Sequence, residues 1–96
     1  MVEVGTVVQS LSGKDRGTLL VVVGGDEHRI LVADGRHRML AHPKAKNPRH
    51  LRQSGIRLTA DRYRTDRQIR KNLREIAENG EISWKEEPSL GEGRCD

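Results

Sequence analysis

Between Val4 and Val23, two segments rich in valine and leucine flank the pentapeptide Gly13-Lys14-Asp15-Arg16-Gly17. Short runs of β-branched and aliphatic residues fit pleated, buried strands. Glycine enters positive φ without a Cβ clash, so a glycine at each end lets the chain reverse tightly. The stretch therefore reads as strand, tight loop, strand, with Lys14 and Arg16 projecting from the loop tip. Val2, Val4, Thr6 and Val8 alternate with Glu3, Gly5, Val7 and Gln9, which predicts a first strand with one buried face. The unbroken run Leu19 to Val23 predicts a central strand buried on both faces. Gly24-Gly25-Asp26-Glu27 interrupts it, and Arg29 to Ala33 resumes the β pattern. Asp34-Gly35 is a dipeptide of type I′ hairpins, from which Arg36 to Leu40 would pair back. Pro43 and Pro48 place a loop or turn next, and Arg49 to Leu51 is the candidate for a fifth strand. Short strands at close spacing indicate a closed or partly closed antiparallel barrel.

The Gly13 to Gly17 loop between two apolar strands resembles the KOW motif of ribosomal and NusG-type proteins, in which a loop of the form Gly-Lys-Asp-x-Gly recurs. The Asp34-Gly35 turn and the basic segment Lys44 to Leu51 extend the resemblance over residues 3 to about 52. It is closest to small KOW-containing RNA-binding proteins of bacteria and to the KOW-type large-subunit ribosomal proteins of eukaryotes and archaea. The resemblance implies an SH3-like barrel that binds ribosomal RNA through its loops and a basic flank. The 44 residues beyond position 52 match nothing in that pattern.

In that remainder, Thr65-Asp66-Arg67-Gln68 has the form of a capping box, Ile69, Leu73 and Ile76 fall at helical spacing, and Gly80 is a plausible stop. Arg67, Arg70, Lys71 and Arg74 occupy the other faces. An apolar stripe this narrow must dock on the barrel, a partner or RNA, because short isolated helices are marginal in water. The predicted fold is thus mainly β: a small SH3-like antiparallel β-barrel with a C-terminal α-helix and a flexible tail. Its units are the barrel at 1–53, a linker at 54–64, a basic amphipathic helix at 65–80 and an acidic tail at 81–96, with Glu86 to Asp96 disordered.

The formal net charge of +4 conceals a strong segregation. Residues 1–34 carry a net −2, residues 35–74 a net +11 with thirteen Lys or Arg against Asp61 and Asp66, and residues 75–96 a net −5. A basic band so poor in counter-charges is the electrostatic footprint of a polyanion site. Many single-strand readers stack bases on aromatic rings, but Tyr63 and Trp84 are the aromatic residues here and neither lies in the barrel segments. Trp84 reads instead as a hydrophobic staple against the barrel or helix. Affinity should then come from Lys and Arg contacts to phosphate, which recognise shape better than sequence. The candidate RNA-binding residues are Lys14 and Arg16 on the first loop, Arg36 and Arg38 at the hairpin, and Lys44, Lys46, Arg49, His50 and Arg52 after it. The strip from Lys44 to Arg52 leads. Asp15, by its sign, should hydrogen-bond within its own loop.

Other classes find little in the chain. His28, His37, His42 and His50 lack the local spacing of a zinc site, and Cys95 is the lone cysteine. No serine sits in a nucleophile elbow, and the Gly13 to Gly17 loop lacks the Gly-Lys-Ser/Thr ending of a P-loop. No enzyme, cofactor or small-molecule substrate is expected. No run approaches a membrane span, and the start lacks a signal peptide's basic and apolar regions, so a cytoplasmic protein is expected. A second function class is a protein-interaction module of the translation or transcription machinery, with Ile69, Leu73 and Ile76 as anchors.

Overall fold

The computed structural model describes residues 2–80 and 82–84. Five antiparallel strands form one sheet: β1 (Thr6–Ser10), β2 (Leu19–Gly25), β3 (Ile30–Ala33), β4 (Lys44–Lys46) and β5 (Leu51–Arg57), in the spatial order β4-β3-β2-β1-β5. Among the described residues one α-helix, α1 (Asp66–Asn79), follows. The longest apolar run supplies the centre, as its composition dictates. Leu20, Val21 and Val22 of β2 are all fully buried, so successive side chains on both faces meet a core. Val7 and Val8 of β1 show the same two-sided burial.

One core lies between the sheet and α1 and is built from Val7, Val21, Ala33 and Leu58 with Ile69 and Leu73 of the helix. The other, on the opposite face, gathers Val8, Leu20, Val22, Ile30, Val32 and Leu51. Among the described residues no helix covers this second face, and the sheet curls over it. The curl is visible in one side chain. The Lys46 ammonium of β4 donates to Ser10 Oγ of β1 at 2.7 Å, although three strand spacings, about 14 Å in a flat sheet, separate β4 from β1. Register shifts in β1/β5 at Thr6/Val8 and in β2/β3 at Val22/Gly24 supply bends of the kind that produce such curvature.

Of the closed or partly closed barrel expected, full closure is absent among the described residues. β4 and β5 are the two edges and do not pair with each other, so the sheet is curled but open. Three expected strands also differ, among them the fifth, expected at Arg49 to Leu51, which runs from Leu51 to Arg57 because Arg49 and His50 belong to a 3-10 turn. The first begins at Thr6 rather than Val2, because Gly5 at φ 97° turns the chain and its N–H donates to the Val22 carbonyl at 2.7 Å. Arg36 to Leu40 forms no strand. A type I′ hairpin needs positive φ at both central residues, and among the described residues no non-glycine has it. Asp34 instead folds the loop around its own carboxylate: Oδ1 accepts from the backbone N–H groups of Arg36, His37 and Arg38 at 2.8, 2.9 and 2.8 Å. β3 then pairs with β4, with Ile30 opposite Lys46 and Val32 opposite Lys44. Pro48–His50 is a 3-10 turn capped by the Asn47 side chain, and β5 runs through position 54, where a linker was expected to begin.

The helix has the termini its sequence specifies. Thr65 Oγ1 accepts from the Gln68 N–H at 3.1 Å while Gln68 Oε1 accepts from the Thr65 N–H at 3.2 Å, and Gly80 closes the C-terminus at φ 71°. Two hydrogen bonds fasten the Asp34 loop to it. Leu40 N–H donates to Asp66 Oδ1 at 2.7 Å, and Arg70 Nη1 donates to the Gly35 carbonyl at 2.6 Å. Trp84 forms an antiparallel bridge with Ser54 beside β5, and the Arg52 guanidinium lies 4.7 Å from its ring centre. Its expected packing on the barrel is thus a cation–π contact at the sheet edge. Residues 85–96, which include the tail expected to be disordered, lie outside the described residues.

Lys46 and Asp15 are 5% and 17% exposed and 3.0 Å apart. Burial pushes the Asp15 carboxyl up, but hydrogen bonds from Lys46 and Ser10 and the charges of Lys46 and Lys44 outweigh it and hold the group below the usual carboxylate range. A depressed folded-state value contributes stability above the unfolded-state value, which is lost as pH falls through the folded one. Urea midpoints should therefore drop between roughly pH 5 and pH 2, and less steeply for Asp15→Asn. Lys46→Met, which leaves a largely buried carboxylate without its cation, should lose about 3–5 kcal/mol in the same measurement at neutral pH.

Gly35 sits at φ 76°, and a Cβ there would run into the Asp66 carbonyl oxygen. Gly17 at φ 88° has open space at that position. Gly17→Ala should cost about 1–2 kcal/mol for the left-handed backbone alone, and Gly35→Ala clearly more, measured by urea unfolding of both variants.

Candidate nucleic-acid interface

The helix and the Asp34 loop, fastened to each other, form the two walls of a groove. On α1, Arg67, Arg70, Lys71 and Arg74 stand at i, i+3, i+4 and i+7, a spacing that puts them on one side of a helix. Ile69 and Leu73 are spent on the core beneath. Facing them, the loop wrapped on Asp34 presents Arg36 and His37, both exposed. Gly17, Thr18 and Leu19, at the end of the first loop and the start of β2, complete a groove of about 790 Å³. Leu19 and Leu73, both part of the sheet–helix core, give it an apolar base.

The electrostatics are one-sided. Arg36, Arg67, Arg70, Lys71 and Arg74 are five cations around this groove, and among the described residues none of them forms an ion pair. Asp34 is the carboxylate lining it among the described residues, and three backbone N–H groups already occupy its Oδ1. Clustered like charges raise the local potential, and an anion of several charges relieves that repulsion. The arrangement can bind phosphate groups by charge-assisted, bidentate guanidinium hydrogen bonds.

The residues singled out in the sequence are distributed unevenly around this site. Arg36 lines the groove. Lys14 and Arg16 are exposed on the loop that leads into it at Gly17. Arg38 is half-buried, and its carbonyl accepts from the N–H groups of Asp34 and Gly35 at 2.9 and 3.0 Å. The Lys44 to Arg52 strip does not form one continuous basic surface. Lys46, counted among its binding residues, is turned inward, with its ammonium hydrogen-bonded to Ser10 Oγ, the Ser12 carbonyl and Asp15 Oδ1 at 2.7, 3.0 and 3.0 Å. It is a structural lysine, and the reason is register: opposite Ile30, it shares that residue's core-facing side. Arg52 is half-buried on Trp84. Lys44 is half-buried, and Arg49 and His50 are exposed at the 3-10 turn. The Asp15 carboxylate, expected to bond within its own loop, instead accepts from Ser10 Oγ at the end of β1 at 2.9 Å and from Lys46 of β4 at 3.0 Å.

Sequence reasoning placed the cations of α1 on the helix surface but did not count them as a site. Their i, i+3, i+4, i+7 spacing was the available signal. What the linear sequence did not show is that Arg36 would stand across from them, because that depends on the Asp34 turn and on the Arg70–Gly35 bond. Among the described residues no group of three His, Cys, Asp or Glu side chains could hold a metal ion, and no helix is long and apolar enough to cross a membrane. Compared with protein families and curated proteins, the chain matches no family model and no curated sequence.

Proposed function

We propose that this chain is a KOW-type RNA-binding module, a small SH3-like barrel with an added helix, that grips the phosphates of structured ribosomal RNA on the ribosome or during its assembly. The observation that carries the reading is the groove walled by Arg36, Arg67, Arg70, Lys71 and Arg74, cations without ion-pair partners among the described residues. The curled five-stranded sheet supports the barrel part of the proposal. So does the Gly13 to Gly17 loop, whose two glycines take φ 83° and 88°, whose Lys14 and Arg16 are exposed, and whose Gly17 lines the groove. The ribosome itself enters through the resemblance of that loop and its flanking strands to the KOW motif.

Aromatic stacking has little part in this mode. Tyr63 packs against the sheet–helix core and Trp84 lies along β5. Contacts to phosphate therefore dominate, and these position a protein on folded RNA more than they read its sequence. The competing reading, a protein-docking helix, has less to work with. Of its three anchors, Ile69 is fully buried and Leu73 is 6% exposed within the chain's own core, and Ile76 is half-buried against that core.

Affinity for a structured ribosomal RNA fragment and for duplex DNA of equal length, measured across a salt series, tests the proposal. The RNA should bind more tightly, with log K falling by roughly 0.7–0.9 per neutralised phosphate for each unit of log salt. Replacing Arg67, Lys71 and Arg74 together by Gln should flatten that slope by about two to three contacts' worth, while Lys46→Met, at a temperature where it stays folded, should leave the slope unchanged. Weak binding of equal strength to both polymers, untouched by the triple substitution, would discard the RNA reading.

A further inference from the structure

The groove is more than a charged surface. A duplex backbone satisfies a convex or flat array of cations, but it cannot bring anything useful to a recessed apolar base. Here the base is formed by the core residues Leu19 and Leu73, and the rim by guanidinium groups. At about 790 Å³ the space falls within the range of roughly 300–1,000 Å³ typical of small-ligand sites. An apolar base beneath a cationic rim matches a ligand with one flat, apolar-faced part and one anionic part.

We propose that the groove between α1 and the Asp34 loop receives an unpaired nucleotide of RNA, its base lying against Leu19 and Leu73 and its phosphate held by the arginines of the rim. The inference rests on the RNA reading above and specifies what that site takes. Charge complementarity selects the phosphate. Planar partners select the base. The Arg70 guanidinium is fixed by its 2.6 Å bond to the Gly35 carbonyl, and bases stack on guanidinium planes as they do on aromatic rings. His37, lining the loop wall, supplies the one ring in the groove among the described residues.

The walls are set before any ligand arrives. Asp34 Oδ1 holds the N–H groups of Arg36, His37 and Arg38, and the Leu40–Asp66 and Arg70–Gly35 bonds fix the loop against the helix. A site held open by bonds within the protein loses little conformational freedom on binding. Flipping a paired base out of a stem costs a few kcal/mol, and that cost is smallest for a base already unpaired. The groove should therefore select bulges and loops.

The test uses the full chain with two RNA hairpins of equal length, one fully paired and one carrying a single unpaired nucleotide, together with free uridine 5′-monophosphate. The bulged hairpin should bind on the order of 10-fold more tightly, as expected for one stacked base. In methyl NMR spectra it should shift Leu19, Leu73 and Ala77, all of which line the groove, and the paired hairpin should not. The free nucleotide should bind far more weakly than the bulged hairpin. Equal affinity for the two hairpins would overturn the inference and leave RNA binding intact. A preference without methyl shifts would overturn it by putting the nucleotide elsewhere. A free nucleotide as tight as the bulged hairpin would make this a mononucleotide site and overturn it also. Binding of neither hairpin would overturn the RNA reading and the inference together.

Discussion

One ammonium group holds the curl of the sheet. Lys46 lies on a three-residue edge strand, yet its Nζ reaches across the second core to Ser10 Oγ, the Ser12 carbonyl and Asp15 Oδ1. Those bonds join the β4 edge to the start of the loop between β1 and β2, two parts of the sheet that share no backbone pairing. Removing an ammonium and a carboxylate from water is expensive, and the Coulombic return covers it only when the remaining hydrogen-bonding positions are filled. Lys46 donates three hydrogen bonds, one for each of its N–H groups, so on its side the exchange is complete. Asp15 is less well served: its Oδ2 is buried without a partner among the described residues. The pair therefore acts more as a specificity device than as a large net source of stability. An inward-pointing charge on an edge strand also makes pairing with a second sheet unfavourable.

Much of the fold could be read from patterns that depend on neighbours in sequence. The apolar run Leu19 to Val23 is the central strand, and Thr65, Gln68 and Gly80 mark the ends of the helix, because strand burial and capping are decided within a few residues. Features set by distant partners were not legible. Val2 and Val4 continue the alternation of the first strand, but Gly5 bonds to Val22 and Leu58 and turns the chain before it. Asp34-Gly35 has the composition of a hairpin turn, yet the Asp34 carboxylate offers three backbone donors a better partner than a ladder would. The Lys44 to Arg52 strip looked uniform as a string of cations. Strand register then turned Lys46 to the core, Trp84 engaged Arg52, and the strip lost its continuity.

The same reasoning explains why the candidate site is on the helix side. Residues 35–57 carry seven Lys or Arg and no carboxylate, but the sheet is short of outward positions that would gather them on one face: Lys46 is turned to the core and Arg52 lies on Trp84. The helix has no such shortage. Ile69 and Leu73 alone, one turn apart, are buried, which leaves most of its circumference free for Arg and Lys. Burying those two residues against Val7, Val21 and Ala33 offsets the repulsion of four cations within eight positions, a cluster that an isolated helix of 14 residues could not sustain in water. Core and site are thus two faces of one element, and the stability of the sheet is what permits the charge density of the groove.

That coupling runs through the loops at both ends of the groove. Lys46 anchors the Gly13 to Gly17 loop, and Gly17 and Thr18 form part of the groove. Arg70 and Asp66 anchor the Asp34 loop, which carries Arg36 and His37 into it. Neither loop is long, and each is held to a part of the fold distant in sequence by a charged side chain. The charges of this protein consequently divide by what surrounds them rather than by residue type. A lysine or carboxylate whose hydrogen bonds are completed inside the fold shapes the site, whereas an arginine left facing solvent among other cations is the group with binding capacity still to be used. Arg70 belongs to both sets, since one of its five N–H groups bonds to Gly35 while its charge remains without an ion-pair partner among the described residues.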